Sequence, residues 1–239
     1  MLSRIYRSSF IILPTGLLLC LALLSGCSDQ EQIQLNSEED HLEAAKTYRD
    51  QGQIEGSLRE LTKALEINKD NPETLQMIAE TLLAAGDPKG AQSVIKQALE
   101  GGLKSSEGNF INVRSLQLQQ KNEEALAAFE SLPDSDKQVT KFQLMNAEIL
   151  ASLREFEKAI ALFNKIHESE PNNADILLGL SKLAMAKDND VELSLDYANK
   201  ASEVDSENLQ LLIWQGRLSM HQEKYEEAQG HFDKALLKI

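Results

Sequence analysis

The stretch that decides the fold is Ile78-Ala79-Glu80-Thr81-Leu82-Leu83-Ala84-Ala85-Gly86-Asp87-Pro88-Lys89-Gly90-Ala91-Gln92-Ser93-Val94-Ile95-Lys96-Gln97-Ala98. It reads as two helices around a tight turn. Gly86 suits a left-handed helix end, Asp87 can cap the next helix, and Pro88 suits its first turn. Ala91, Ile95 and Ala98 stand at i, i+4 and i+7, so they share one helix face. A small residue at Ala91 lets the second helix pass close to the first.

The same face recurs along the chain as Ser57/Leu61/Ala64, Ala125/Phe129/Leu132, Ala159/Phe163/Ile166, Ser194/Ala198/Ala201 and Ala228/Phe232/Ala235. Successive members are 34 residues apart, except for one step of 35. The extra residue falls in the Lys187–Asp190 loop, where an insertion is tolerated. Gly52 closes another first helix, whereas Gln120 and Arg154 replace the glycine in later turns. Asn71-Pro72 and Pro171-Asn172-Asn173 end second helices. No single hairpin can bury such a face alone, so the units must stack. Residues 38–239 are therefore expected to form an all-α array of about six 34-residue helix-turn-helix units. The third, near residues 106–139, diverges most, with Asn109 and Asn112 where apolar residues are expected.

These residues resemble the tetratricopeptide repeat (TPR), whose pattern is W-x₂-L-G-x₂-Y…A-x₃-F…P. The fullest matches are Ile78-Ala79 with Leu82, Gly86, Ala91 and Ala98; Phe156 with Ala159, Phe163 and Pro171; and Gly216 with Tyr225, Ala228, Phe232 and Ala235. The resemblance implies a superhelical solenoid with first helices on the concave side. It also places exposed inner positions on each first helix: Leu42, Lys46 and Arg49; Gln76, Glu80 and Leu83; Phe110, Arg114 and Gln117; Leu144 and Glu148; Leu178, Lys182 and Met185; Ile213, Arg217 and Met220. Apolar residues there interleave with cations. Such a groove suits an extended peptide or helix bearing acidic groups, or a C-terminal carboxylate. The other reading of each apolar member is packing against a neighbouring helix.

The N-terminus has a different grammar. Arg4 and Arg7 precede an apolar run from Phe10 to Leu24, broken once by Pro14. The run is short and one-sided for a membrane span and reads as a cleavable signal peptide over residues 1–26. Leu24-Ser25-Gly26-Cys27 resembles the lipobox of bacterial lipoproteins at all four positions. That resemblance implies cleavage before Cys27, a diacylglycerol on its thiol and acylation of its new amine. Two or more chains on one cysteine would make release from a membrane negligible. Ser28 next to Cys27 implies the outer membrane, on the periplasmic side, with Asp29 a mild complication. Residues 27–37 then read as a polar tether. Cys20 leaves with the signal, so the mature protein is expected to carry no disulfide.

Net charge is −14, and removing residues 1–26 leaves 22 basic and 38 acidic residues, or −16. With no basic stripe, that surface excludes nucleic acid as the expected partner. The acidity is read as solubility of an elongated helical surface. Catalysis is not expected. None of His41, His167, His221 and His231 pairs with another at i+3 or i+4, and His221 and His231, ten residues apart in one repeat, read as exposed helix residues rather than a metal site. There is no nucleophile elbow, phosphate loop or dinucleotide fingerprint. Adjacent acids such as Glu123-Glu124 and Glu226-Glu227 do not share a helix face. Neither a metal nor a cofactor is expected beyond the covalent lipid.

A narrower resemblance is carried by the lipobox, His41-Leu42-Glu43-Ala44-Ala45-Lys46-Thr47-Tyr48, Gly52, Leu58-Arg59-Glu60-Leu61-Thr62-Lys63-Ala64-Leu65, Leu82-Leu83-Ala84-Ala85-Gly86-Asp87 and the pair Gly101-Gly102. Together they look like the N-terminal part of the PEP-CTERM system TPR-repeat lipoproteins of Gram-negative bacteria. That implies an envelope scaffold for protein partners, in exopolysaccharide export or exosortase-linked protein sorting. An outer-membrane assembly or pilus-biogenesis factor is the alternative, as is the regulatory front of a larger protein. Members of that family are longer, and no polar capping helix follows the sixth unit. Phe232, Ala235 and Leu236 are therefore expected to form an apolar edge covered by further repeats, a partner or a second copy.

Overall fold

The computed structural model describes residues 37–238. Residues 1–36 are outside it, and with them the signal peptide, Cys27 and most of the tether. The described residues fold into thirteen helices: α1 (Glu38–Asp50), α2 (Ile54–Ile67), α3 (Pro72–Ala84), α4 (Pro88–Glu100), α5 (Ser106–Leu118), α6 (Asn122–Glu130), α7 (Asp134–Lys137), α8 (Thr140–Ser152), α9 (Phe156–Ser169), α10 (Ala174–Asp188), α11 (Val191–Val204), α12 (Leu209–His221) and α13 (Tyr225–Leu236). None of these helices is long and apolar enough to cross a membrane. The pairs α1/α2, α3/α4, α5/α6, α8/α9, α10/α11 and α12/α13 are the six hairpins expected from the period. Each second helix also packs on the first helix of the next hairpin, and first helices touch one another from α3 through α5 and α8 to α10.

The core is divided the way a solenoid requires. Leu75, Ala79, Ala91, Ile95 and Ala98 of α3 and α4 are closed by Ile111 of α5. Ala147, Leu150, Ala159, Phe163 and Ile166 of α8 and α9 are closed by Ile176, Leu180 and Leu183 of α10. Every cluster thus takes its lid from the following unit, so the stability of one hairpin depends on the next. The small residues Ser57, Ala91, Ala125, Ala159, Ser194 and Ala228 are all fully buried where second helices meet first ones.

Five of the six hairpin turns share one backbone form; between α10 and α11, Asn189 is the left-handed residue and Asp190 N–H reaches Ala184, six residues back. Gly52 and Gly86 adopt positive φ, and so do Gln120, Arg154 and Glu223 at the matching places. In each of these five the next residue's N–H reaches the carbonyl five residues back: Gln53 to Tyr48, Asp87 to Leu82, Lys121 to Leu116, Glu155 to Leu150 and Lys224 to Ser219. This is the hydrogen-bond pattern of a glycine-type helix end. Gln120 and Arg154, which replace the glycine, retain the turn geometry.

Caps mark the first helices. Ser37 and Asp40 form a reciprocal capping box at α1. Asn71, Ser105, Asn173 and Asn208 cap α3, α5, α10 and α12. The divergent third unit is explained by one carboxylate. Its second helix, α6, has nine residues and stops before Pro133, and the short α7 follows. Asp136 of α7 is buried, accepting hydrogen bonds from Ser106 Oγ at 2.5 Å and Asn109 Nδ2 at 2.8 Å. Asn109 breaks the apolar pattern because a buried acid faces it.

Of the two histidines expected to be exposed, His221 is exposed and His231 is half-buried. His41 lies deeper than either. It is buried, with Nδ1 2.7 Å from Glu60 Oε2, while Lys63 Nζ donates to Glu60 Oε1 at 2.9 Å. Burial pushes the Glu60 carboxyl up, but the hydrogen bonds and charges of Lys63 and His41 outweigh it and hold the group below its ordinary range. At the last hairpin, Phe232 is half-buried with its ring against Gly216, and Ala235 is buried. Of the expected apolar edge only Leu236 stands open, joined by Leu237.

Candidate functional site: the inner face of the first helices

Residues at one position of successive first helices form rows, because each unit repeats the last. The richest row is Lys46, Glu80, Arg114, Glu148, Lys182 and Arg217, whose charges run plus, minus, plus, minus, plus, plus. Units of opposite sign find each other across the stack. Arg49 Nη1 donates to Glu80 Oε2 at 2.7 Å, and Gln76 Nε2 donates to Glu80 Oε1 at 2.8 Å. Arg114 Nη1 lies 2.9 Å from Glu148 Oε2, which also accepts from Gln117 Nε2 at 2.9 Å. Arg114 donates to Gln117 as well, at 2.7 Å, so one amide bridges both charges. These groups are about as exposed as a groove wall should be, and each pair is a modest stabiliser of roughly 0.2–1 kcal/mol.

The structure brings together most of the inner positions read from sequence. Lys46 and Arg217 are exposed. Leu42, Arg49, Gln76, Glu80, Leu83, Phe110, Arg114, Gln117, Leu144, Glu148, Lys182, Met185 and Ile213 are half-buried. Met220 is 48% exposed, an unusual state for a methionine and a pliable apolar surface. Several apolar members also touch the core: Leu83, Phe110, Leu144 and Met185 each pack against a buried cluster.

Leu178 is a correction. It is 4% exposed and packs with Leu177, Ala198, Ala201, Leu211 and Leu218. In α10 both Leu177 and Leu178 enter the cluster shared with α11 and α12, while Ile176 and Leu180 enter the cluster before it. The whole run from Ile176 to Ser181 is consequently buried. A position that faces the groove in other units faces α11 and α12 here.

A second row was missed from sequence, although the same 34-residue step contains it: Glu39, Glu73, Glu107, Lys141 and Asp175. Lys141 is the exception in sign. Its ammonium lies 2.6 Å from Glu107 Oε2 and 4.8 Å from the centre of the Phe110 ring. Phe110 in turn meets Phe142 edge-on, with ring centres 5.5 Å apart. This cation–aromatic cluster fixes Phe110 in the groove wall.

Between α8 and α10 the groove deepens into a cavity of about 310 Å³. Arg114, Gln117, Glu148, Ser152 and Lys182 supply its polar lining, and Phe163, Leu183, Ala151 and Ala186 its apolar part. Gly179 lets the Phe163 ring into its wall, because the ring occupies the place of a side chain there. Burial holds the Lys182 amine below its ordinary value; Glu148 pulls it back, while Arg114 and Arg217 push it further down. No ion pair within 4 Å serves Lys182 or Arg217 among the described residues. Behind this wall, Trp214 Nε1 donates to Ser181 Oγ at 2.7 Å, and Ser181 Oγ donates to the Ser194 carbonyl, also at 2.7 Å. These bonds tie α10, α11 and α12 together beneath Lys182.

Family models described as tetratricopeptide repeat match residues 48–107 and 112–174. No curated protein matches the sequence. Among solved structures, a tetratricopeptide repeat protein from Parabacteroides merdae ATCC 43184 superposes with a TM-score of 0.75 at 17% identity, covering 86% of this chain and 80% of that one. PilW, described as a widely conserved type IV pilus biogenesis factor, gives 0.63 at 16% identity over 81% of this chain and 90% of its own. YrrB, described as a TPR protein with an unusual peptide-binding site, gives 0.53 at 17% identity over 72% and 89%. At these identities the likeness is one of fold.

Proposed function

The chain carries tetratricopeptide repeats, and we propose that it is a non-catalytic, lipid-anchored scaffold that holds a protein partner on the inner face of its first helices. The observation that carries this reading is the inner wall itself, where half-buried apolar side chains, a cavity and two cations without ion pairs lie side by side on one surface. Such a wall gives main-chain and side-chain anchors to a peptide or helix.

The anchor rests on the sequence Leu24-Ser25-Gly26-Cys27. We assign the work of the scaffold to the Gram-negative envelope, on the periplasmic side of the outer membrane, in exopolysaccharide export or exosortase-linked sorting of PEP-CTERM proteins. Pilus biogenesis is the second reading, prompted by the shared fold of PilW. The genes beside this one separate the two, since an exosortase or polysaccharide polymerase supports the first and pilus genes support the second.

The test combines mass and contact. Intact-mass analysis of membrane-fraction protein should show a chain starting at Cys27 and carrying acyl mass, and Cys27→Ala should abolish both membrane retention and that mass. An unmodified chain removes the anchor. In the same cells a photo-crosslinking residue at Met220, on the inner face, should capture a partner that the same residue at Lys165, on the exposed side of α9, does not. Equal capture at both positions removes the groove.

A further inference from the structure

The inner face changes character along its length. Over the first four units its charges are mostly spent on one another: Arg49 on Glu80, Lys141 on Glu107, and Arg114 on Glu148, all within 2.9 Å. Lys46 stands at the exposed start of the row. From α10 onward the alternation fails. Lys182 is followed by Arg217, two cations in adjacent units, and neither has a carboxylate within 4 Å among the described residues.

Resting on the groove reading above, we propose that the partner is anchored at this end of the array by an Asp or Glu side chain seated against Lys182 in the cavity between α8 and α10, flanked by apolar side chains. The chemistry of the lining carries the choice. A half-buried ammonium without an ion pair is costly, and an anion entering beside it removes that cost. Arg114 and Arg217 strengthen the positive field at the same point, whereas Glu148 is already held by Arg114 and Gln117. Counting Arg114, Lys182 and Arg217 against Glu148 and Asp175, the groups that act on this site sum to a single positive charge. That balance suits one carboxylate rather than a doubly charged phosphate. The apolar wall of Leu183, Ala186 and Phe163 calls for a hydrocarbon neighbour on the same segment. Along the same inner row, Met185 of α10 and the exposed Met220 of α12 offer adaptable contacts. Cationic segments are rejected by the same field, and the neutralised N-terminal units add little selectivity.

Burial lowers the Lys182 amine from its ordinary value, and a carboxylate seated beside it would raise it again.

The experiment uses the full chain and a bead-displayed library of C-terminally amidated heptapeptides containing Asp, Glu, Lys, Gln, Ser, Leu, Ile, Met and Phe. The expected result is enrichment of peptides with an acid beside an apolar residue. Their affinity should fall about tenfold or more in Lys182→Gln, as for a truncated charge pair, and stay near wild type in Lys165→Gln, on the exposed side of α9. Lys182→Arg should keep the acid preference, which separates loss of charge from loss of fold. Arg217→Gln, at an exposed position, should weaken the same peptides to a smaller degree. Binding without acid preference, or an acid preference that survives Lys182→Gln combined with Arg217→Gln, overturns the anchor while leaving the groove. In a matched library with free C-termini, binding that appears only there overturns the side-chain source. A library that yields no binder at all overturns the groove reading and the anchor with it.

Discussion

The ring of Phe163 lies so close to the backbone of Gly179 that a Cβ on Gly179 would stand 2.2 Å from Phe163 Cε1. Two consecutive units meet at this contact, one through α9 and the other through α10. It is also where the inner cavity gains its depth, since both residues line it.

Gly179→Ala should therefore destabilise the array by about 1–3 kcal/mol, the usual cost of overpacking a filled site. Phe163→Ala should cost about 3–5 kcal/mol, because it empties a buried aromatic site. The double variant should lose less than the sum, since removing the ring makes room for the methyl group. Chemical denaturation of the four proteins reads all three values, and strict additivity would show that the contact is not shared.

The turn residues offer a gain in stability. Gln120, Arg154 and Glu223 hold left-handed backbone at φ of 61°, 63° and 62°. Glycine there removes a steric cost and adds some unfolded-state entropy, leaving a net gain of roughly 0.5–1 kcal/mol at each site. Each glycine variant should melt at a higher temperature than wild type. Gly86→Ala, at φ of 76°, should melt lower.

Asp136 sets part of the acid limit of the fold. Hydrogen bonds from Ser106 first, then Asn109, hold its carboxyl below the ordinary value of 3.8, against the upward push of burial. A depressed carboxylate contributes stability that is present above the unfolded value and is lost as pH falls through the folded one. Asp136→Asn should cost about 1.5–3 kcal/mol at pH 7, the range for hydrogen bonds to a charged group. The gap between variant and wild type should close as the pH drops below about 3.8. Melting curves across that range check it, and a gap independent of pH would assign the loss to packing alone.

The Arg114–Glu148 pair should couple weakly. Both side chains are 35% exposed, so solvent screens them. A double-mutant cycle with Arg114→Gln and Glu148→Gln should give about 0.2–1 kcal/mol at low salt and less at 1 M salt. A larger, salt-insensitive value would mean that Gln117 and the cavity wall shield the pair from water.

The six hairpins were legible because each depends on local, repeated chemistry. A small residue, an apolar residue four later and another three after that mark a helix face wherever they occur. Glycine, asparagine and proline mark where helices stop for reasons confined to one turn. The inner rows were legible for the same reason, and the overlooked row of Glu39, Glu73, Glu107, Lys141 and Asp175 was open to the same 34-residue count. Where the local rule seemed to fail, at Asn109, Gln120 and Arg154, the helix pair persisted because partners elsewhere or backbone hydrogen bonds absorbed the misfit.

By itself, the sequence determined that this protein is an array of helical hairpins with polar and apolar residues mixed along one inner row. Which of those residues are free to meet a partner was decided by the tertiary structure. Glu80 and Glu148 are occupied by arginines, Lys182 and Arg217 have no ion pair among the described residues, and Leu178 lies in the core. His41 is buried against Glu60 for the same kind of reason. Charge pairing and burial depend on distances between units, and a repeat sequence states the spacing of residues along the chain without stating which unit's side chain reaches across to its neighbour.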